Sequence, residues 1–202
     1  MPSPSSTSPP SEADGLRIHV FGHDSAHPED VAHEFGGLTG QDPAAECDLA
    51  IFAINPSTGI DGESIAQWDG LNDSMVPRLI VVTGLDNPDA DFDDAVLLAN
   101  RVFDQTVTPY LVLHDDSGVA CALISLQDLQ IIDYTTTSPT IRESDPEHQQ
   151  LVSEFRNEYL AQMELMGDDG FAAGLLFPAI PIWLDRQIGV DIVKSYVDRL
   201  VH

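Results

Sequence analysis

Apolar runs alternate with amphipathic stretches along most of this chain, and the two differ in period. Residues 16–21 open with a short apolar run that predicts a strand, and 28–35 follow with helical spacing. Residues 48–55 (DLAIFAIN) are apolar almost throughout, as a strand covered on both faces would be. A helix is expected at 64–71 and another buried strand at 79–83. In 91–103, Phe92, Val96, Ala99 and either Val102 or Phe103 fall on one face, so this segment should be a helix lying over a sheet.

The middle of the chain changes character. Residues 110–114 and 119–124 flank Asp115, Asp116, Ser117 and Gly118, a composition that predicts an antiparallel hairpin. A polar connector rich in Thr, Ser and Pro follows. Asp145 and Pro146 then read as an N-cap and a first-turn proline, with Leu151, Phe155, Tyr159 and Met163 at helical spacing behind them. A strand at 179–183 precedes a closing helix whose apolar side carries Ile192, Val193, Tyr196, Val197 and Leu200. The βαβα order predicts an α/β fold, a mainly parallel sheet flanked by helices, with a small inserted hairpin subdomain at about 106–145. No internal repeat is visible.

Composition adds three constraints. A chain of 202 residues suits one compact domain over 15–202, and a domain of this size buries roughly 70% of its extended surface. Residues 1–14 are rich in Pro and Ser without apolar period, so a disordered leader is expected there. Nothing resembles a signal peptide or a membrane span, which leaves a soluble, cytoplasmic protein as the expectation. Cys47 and Cys121 lie in apolar stretches and are read as buried free thiols. The 34 acidic residues against 8 basic ones give a net charge of −26. Such a surface repels phosphate backbones and anionic lipid, so neither nucleic acid nor membrane is an expected partner. The plain reading is a highly hydrated surface suited to high salt; the functional alternative is an acidic face for a basic protein partner.

From Gly59 through Trp68 to Val76, Pro77, Arg78 and Asp86, then on to Pro88, Asp89, Ala90, Asp91 and Phe92, the chain resembles the G domain of translational GTPases of the elongation factor G type. Residues 108–134 are similar to the family's inserted subdomain. Phe177, Pro178, Ala179, Ile180 and Pro181, with Gly189, Val190 and Asp191, resemble its closing strand and helix. The resemblance implies a P-loop GTPase-like fold, and only the G domain of the family is expected in this chain.

The same resemblance places a phosphate-binding loop directly after the first strand, at Gly22, His23, Asp24, Ser25, Ala26, His27, Pro28 and Glu29. A P-loop closes backbone amides on the phosphates, bridges them with a lysine and ligates magnesium with a hydroxyl. Gly22 and His23 match the family's opening pair. His27 stands where the second glycine belongs, Pro28 replaces the lysine and Glu29 replaces the hydroxyl residue. Proline brings neither cation nor N–H, and glutamate brings negative charge. The single lysine of the sequence is Lys194, far along the chain. The family's Asp-Thr-Pro-Gly-His motif is not found; Gly36, Gly37, Leu38, Thr39 and Gly40 stand as its shortened remnant. The guanine-reading motif has become Thr83, Gly84, Leu85 and Asp86, and the supporting Ser-Ala motif falls at about Pro181, Ile182 and Trp183. GTP binding and hydrolysis are both expected to be lost, with no cofactor and no catalytic residue.

His23, His27 and His33 with Asp24 and Glu29 are candidate metal ligands, though in no known zinc spacing. Asp89, Asp91 and Asp93 resemble the start of a calcium loop without its glycine and glutamate, and read better as helix caps. Three functional readings therefore stand: a protein-binding or regulatory module on a degenerate G domain, a residual GTP-binding protein or GTPase, and a metal site or enzyme built on His23, Asp24 and His27.

Overall fold

A computed structural model describes residues 15–201, so the expected leader at 1–14 lies outside the described residues. In chain order the elements are β1 (Ile18–Phe21), a 3-10 turn (Asp24–Ala26), α1 (Pro28–Phe35), β2 (Leu38–Thr39), β3 (Leu49–Ile54), α2 (Gly62–Gly70), β4 (Arg78–Val82) and α3 (Phe92–Val102). They continue with β5 (Thr106–Val107), β6 (Tyr110–His114), β7 (Ala120–Ser125), β8 (Gln130–Asp133), β9 (Thr140–Glu143), α4 (Pro146–Leu151), α5 (Ser153–Met166), β10 (Phe177–Pro181) and α6 (Val190–Asp198).

Among these residues, six strands form one sheet in the order β2-β1-β3-β4-β10-β5, every pairing parallel. The fully buried run of β3 serves both faces by its period of two. Leu49, Ile51 and Ala53 join the core beneath α1 and α6, while Ala50, Phe52 and Ile54 join the core beneath α2 and α3. A second, antiparallel sheet in the order β6-β7-β8-β9 packs Leu123, Ile124 and Ile131 into the first of these cores. The observed fold is thus the expected parallel α/β sheet flanked by helices, with a separate sheet of four strands where a hairpin was expected.

Arg78, at the start of β4, is the most unusual core residue because its side chain is only 2% exposed. Its guanidinium lies 4.7 Å over the Trp68 ring and 5.2 Å over Phe177. Nη1 donates to Asn72 Oδ1 at 2.8 Å and stands 3.7 Å from the Asp104 carboxylate. That carboxylate also accepts from Trp68 Nε1 at 2.9 Å, and Trp68 stacks on Phe103 at 4.3 Å. A buried cation is tolerable because aromatic faces, a side-chain amide and a carboxylate surround it. One residue thereby joins β4, β10, α2 and the end of α3.

Several expectations are corrected. The polar connector contains β9, whose four residues are all exposed, so no apolar alternation betrayed it; it is held by the backbone ladder to β8. The expected helix from Asp145 is two helices broken at Val152, which is itself buried. Leu151 and Phe155 consequently do not share a buried face with Tyr159: they are 72% and 46% exposed. On α3 the buried side chains are Phe92, Ala95 and Ala99, with Val96 and Phe103 only partly covered. The last strand of the parallel sheet begins at Phe177 and ends at Pro181, two residues earlier than the 179–183 expected. Cys47 and Cys121 are free but half-buried, and partial burial pushes both thiols up from their ordinary value.

Replacing Arg78 with alanine should remove about 3 kcal/mol of stability by opening the space between Trp68 and Phe177, measured by urea denaturation. Arg78→Met, which keeps the stem, should cost less. A pH effect comes from Arg17, whose guanidinium grips Asp48 with Nε and Nη2 at 3.0 and 2.8 Å and holds its carboxyl down at about 2. The stabilisation is present above the unfolded value of about 3.9 and is lost as pH falls toward that lower value. In Arg17→Gln, an NMR titration of Asp48 should move up toward the unfolded value, and the variant should be less stable than the native chain near neutrality, the difference shrinking as acid protonates Asp48.

Candidate functional site

The carboxyl ends of the parallel strands gather the loops in which open α/β sheets place their sites. The first of these loops leaves β1 at Gly22, which has φ +148°. A Cβ there would stand 2.4 Å from the Ala53 carbonyl oxygen of β3, so only glycine lets the two strands' ends approach this closely. His23 then caps the 3-10 turn: its Nδ1 accepts from the Ser25 amide at 3.2 Å and lies 2.8 Å from Ser25 Oγ. The Ala26 amide donates to the His23 carbonyl at 2.8 Å and the His27 amide to the Asp24 carbonyl at 3.0 Å. Pro28, at the first position of α1, has no amide hydrogen and is buried. The N–H groups of Ser25, Ala26 and His27 are therefore all bonded inside the loop.

His27 occupies the left-handed region at φ 54° and ψ 52°, a conformation that glycine adopts freely and histidine only at a cost on the order of 1 kcal/mol. The backbone thus keeps a glycine-like geometry at the position where the sequence has lost the glycine.

Side chains from the next two strands close over this loop. Asn55, just after β3, donates through Nδ2 to the Ser25 carbonyl at 2.9 Å. Thr83, just after β4, donates through Oγ1 to the Ala26 carbonyl at 2.9 Å. Ser25 Oγ also meets Thr58 Oγ1 at 2.7 Å, and Asn87 Nδ2 donates to Ser57 Oγ at 3.0 Å. Gly84 makes room for this arrangement, since a Cβ on it would come within 2.5 Å of the Asn55 amide. Asp86 is exposed, whereas Trp183 is buried, with the Arg186 guanidinium 5.5 Å over its ring. Of the residues read from sequence, His23, Asp24, His27 and Thr83 share one hydrogen-bonded lattice, Gly22 and Gly84 give it room, and Pro28, buried, and Glu29, exposed, follow it in the first turn of α1. Asn55, Ser57, Thr58 and Asn87 belong to it as well and were missed; their one sequence signal is that each follows a buried strand by a few residues.

The metal reading is not assembled. His23 Nδ1 is engaged by Ser25, His27 Nδ1 lies 3.9 Å from Asp30, and His33 sits exposed in the last turn of α1. Among the described residues no group of three or more His, Cys, Asp or Glu side chains could hold a metal ion. Asp91 caps α3 through the Asp93 amide at 2.9 Å, as a helix start requires.

This loop belongs to a mixed α/β fold, a mainly parallel six-stranded sheet flanked by helices beside a separate antiparallel sheet of four strands. The chain is 26% identical over 167 residues to elongation factor G-like proteins of two Mycobacterium tuberculosis strains, a match covering 72% of this chain and 23% of theirs. It is 25% identical over 127 residues to the mitochondrial ribosome-releasing factor 2 of Drosophila melanogaster, covering 60% of this chain and 17% of that one. A crystal structure of a Thermus thermophilus protein superposes with a TM-score of 0.63 at 20% identity, over 77% of this chain and 27% of that one. No family model matches the chain. Sequence similarity and fold together support an elongation factor G-type translational GTPase domain, and the chain spans about a quarter of the length of the Mycobacterium relatives.

Thr83→Val should leave the Ala26 carbonyl unpaired and cost about 1–2 kcal/mol. Hydrogen exchange should then quicken at the Ser25, Ala26 and His27 amides, while the amides of β3 and β4 keep their protection.

Proposed function

We propose that this chain is a degenerate elongation factor G-type G domain that neither holds nor hydrolyses GTP and works as a protein-binding or regulatory module. The observation that carries the reading is the internal bonding of the Ser25, Ala26 and His27 amides, next to a proline that has none. A phosphate group placed there would have to compete with bonds already made, and Glu29 and Asp30 in the first turn of α1 already complement the positive end of the helix. No lysine stands near to repay the disruption, since Lys194 Nζ pairs with Glu34 at 2.7 Å on another part of the surface. Asp86 remains as the last trace of a base-reading motif, but an exposed carboxylate without a phosphate grip supplies too little affinity.

What remains is a rigid α/β scaffold with an acidic surface. Its relatives carry names that place them with ribosome release and elongation factor G. At −26 the chain is repelled by bare RNA phosphate, so its partner is read as a protein with a basic surface, on or off the ribosome.

The test is thermal unfolding with and without GTP and Mg²⁺, followed by a phosphate-release assay on purified protein. Ligand at a hundred times its dissociation constant would add about 2.7 kcal/mol of stability. The expected result is no shift and no phosphate release; a shift of that size, or turnover, would return the chain to the working GTPases.

A further inference from the structure

Beside the loops that leave the carboxyl ends of β4 and β10, where Leu85 and Trp183 form part of the wall, α3, β6 and the junction between α4 and α5 enclose a groove of two lobes, about 390 and 370 Å³. Asp93, Leu111 and Phe155 line both lobes and so make them continuous. Its apolar rim is unusually bare for a monomeric surface: Leu151 is 72% exposed, Leu97 56% and Phe155 46%. These three lie on three different helices, so no single amphipathic face explains them. The break at Val152 is what turns Leu151 and Phe155 outward, at the expense of the continuous apolar side that one unbroken helix would have buried.

The carboxylates of the groove have no fixed cation beside them, His114 being its one basic lining residue among those described. Asp91, Asp93 and Glu158 line it, and among the described residues no lysine or arginine does. Asp93 sits where the lobes meet; partial burial, then the neighbouring Asp91 and Asp94, raise its carboxyl above the ordinary value, as expected of a carboxylate with no counter-ion. Apolar walls with uncompensated carboxylates suit a ligand of complementary make-up. A second copy of this chain is a poor occupant, because it brings 34 acidic and 8 basic residues against the same carboxylates. Residues 1–14 of the chain are equally unsuited, having no lysine or arginine and Met1 as their only bulky apolar side chain.

We infer that this groove is the docking site for an amphipathic helix of a basic protein partner, with apolar side chains seated against Leu97, Leu111 and Phe155 and lysine or arginine side chains facing Asp93 and Glu158. Helix-in-groove recognition uses apolar anchors on one face of the helix, at i, i+3, i+4 and i+7. The inference rests on reading the chain as a protein-binding module, and it names the surface and the chemistry of the ligand. The two can fail separately, because nucleotide-dependent stability reports on the loop after β1 and the groove is tested without nucleotide.

The probe is a labelled amphipathic helical peptide of leucine and lysine, followed by fluorescence anisotropy with the full chain, beside a peptide of the same composition in scrambled order. The amphipathic peptide should bind, and the scrambled one should bind more weakly by about tenfold or more. Phe155→Ser and Leu97→Ser, each independently, should weaken the amphipathic peptide by about tenfold, whereas Leu165→Ser, at a 79% exposed position on α5 outside the groove, should leave it unchanged. The pair Asp93→Asn and Glu158→Gln should weaken binding by about threefold and reduce its salt dependence. Equal binding of the scrambled peptide, or indifference to both serine variants, would mean general adhesion to an acidic surface and would overturn the inference. So would self-association of the chain that Phe155→Ser abolishes, since the occupant would then be a second copy.

Discussion

The loop after β1 is shut by its neighbours, and the character of the whole carboxyl edge of the sheet follows from that closure. Asn55 and Thr83 reach from the ends of β3 and β4 to take the carbonyl oxygens of Ser25 and Ala26, while the amides of the same residues bond within the loop. Backbone groups at such an edge are either satisfied internally or available to a ligand. Here they are satisfied. His27 in its left-handed conformation and the tight glycine at position 22 fix the path of the loop.

Below that edge the sheet is held by conventional means and one unconventional one. Parallel strands need cover on both sides, and β3 and β4 are buried throughout for that reason. Arg78 is the exception, a cation inside the α2 and α3 layer that joins four elements through Trp68, Phe177, Asn72 and Asp104. Trp68 and Arg78 belong to the segment on which the likeness to translational GTPases is strongest, so this part of the resemblance is carried by packing and does not depend on nucleotide. A scaffold can keep such packing whatever its first loop binds, because fold does not by itself fix activity.

The acidic balance and the groove belong together. A net charge of −26 spread over the surface would by itself only keep the chain hydrated. Beside exposed Leu97, Leu151 and Phe155 it has a second consequence, since carboxylates that rim an apolar surface oppose self-association and favour a cationic ligand. The loop after β1 is closed by its own hydrogen bonds, whereas the groove that begins beside the ends of β4 and β10 stays open.

Most of the parallel sheet was legible from sequence because a strand buried on both faces leaves an apolar run, as 48–55 and 79–83 do, and because caps such as Asp91 and Asp145 mark helix starts through local hydrogen bonds. The absence of the P-loop residue types at His27, Pro28 and Glu29 was equally plain, since residue types at a stated spacing are read directly. Three things were not legible. β9 is exposed on both faces and exists only through its ladder to β8, a pairing that side-chain pattern does not encode. The break at Val152 depends on what packs over Tyr159 and Val152, and spacing alone read it as one helix. Asn55 and Thr83 became loop fasteners because the parallel register of β1, β3 and β4 brings their ends side by side. Residue type and period are local and determined the elements and the residues offered by the first loop; distances between strand ends are set by the sheet as a whole, and only the tertiary structure decided how that loop was closed.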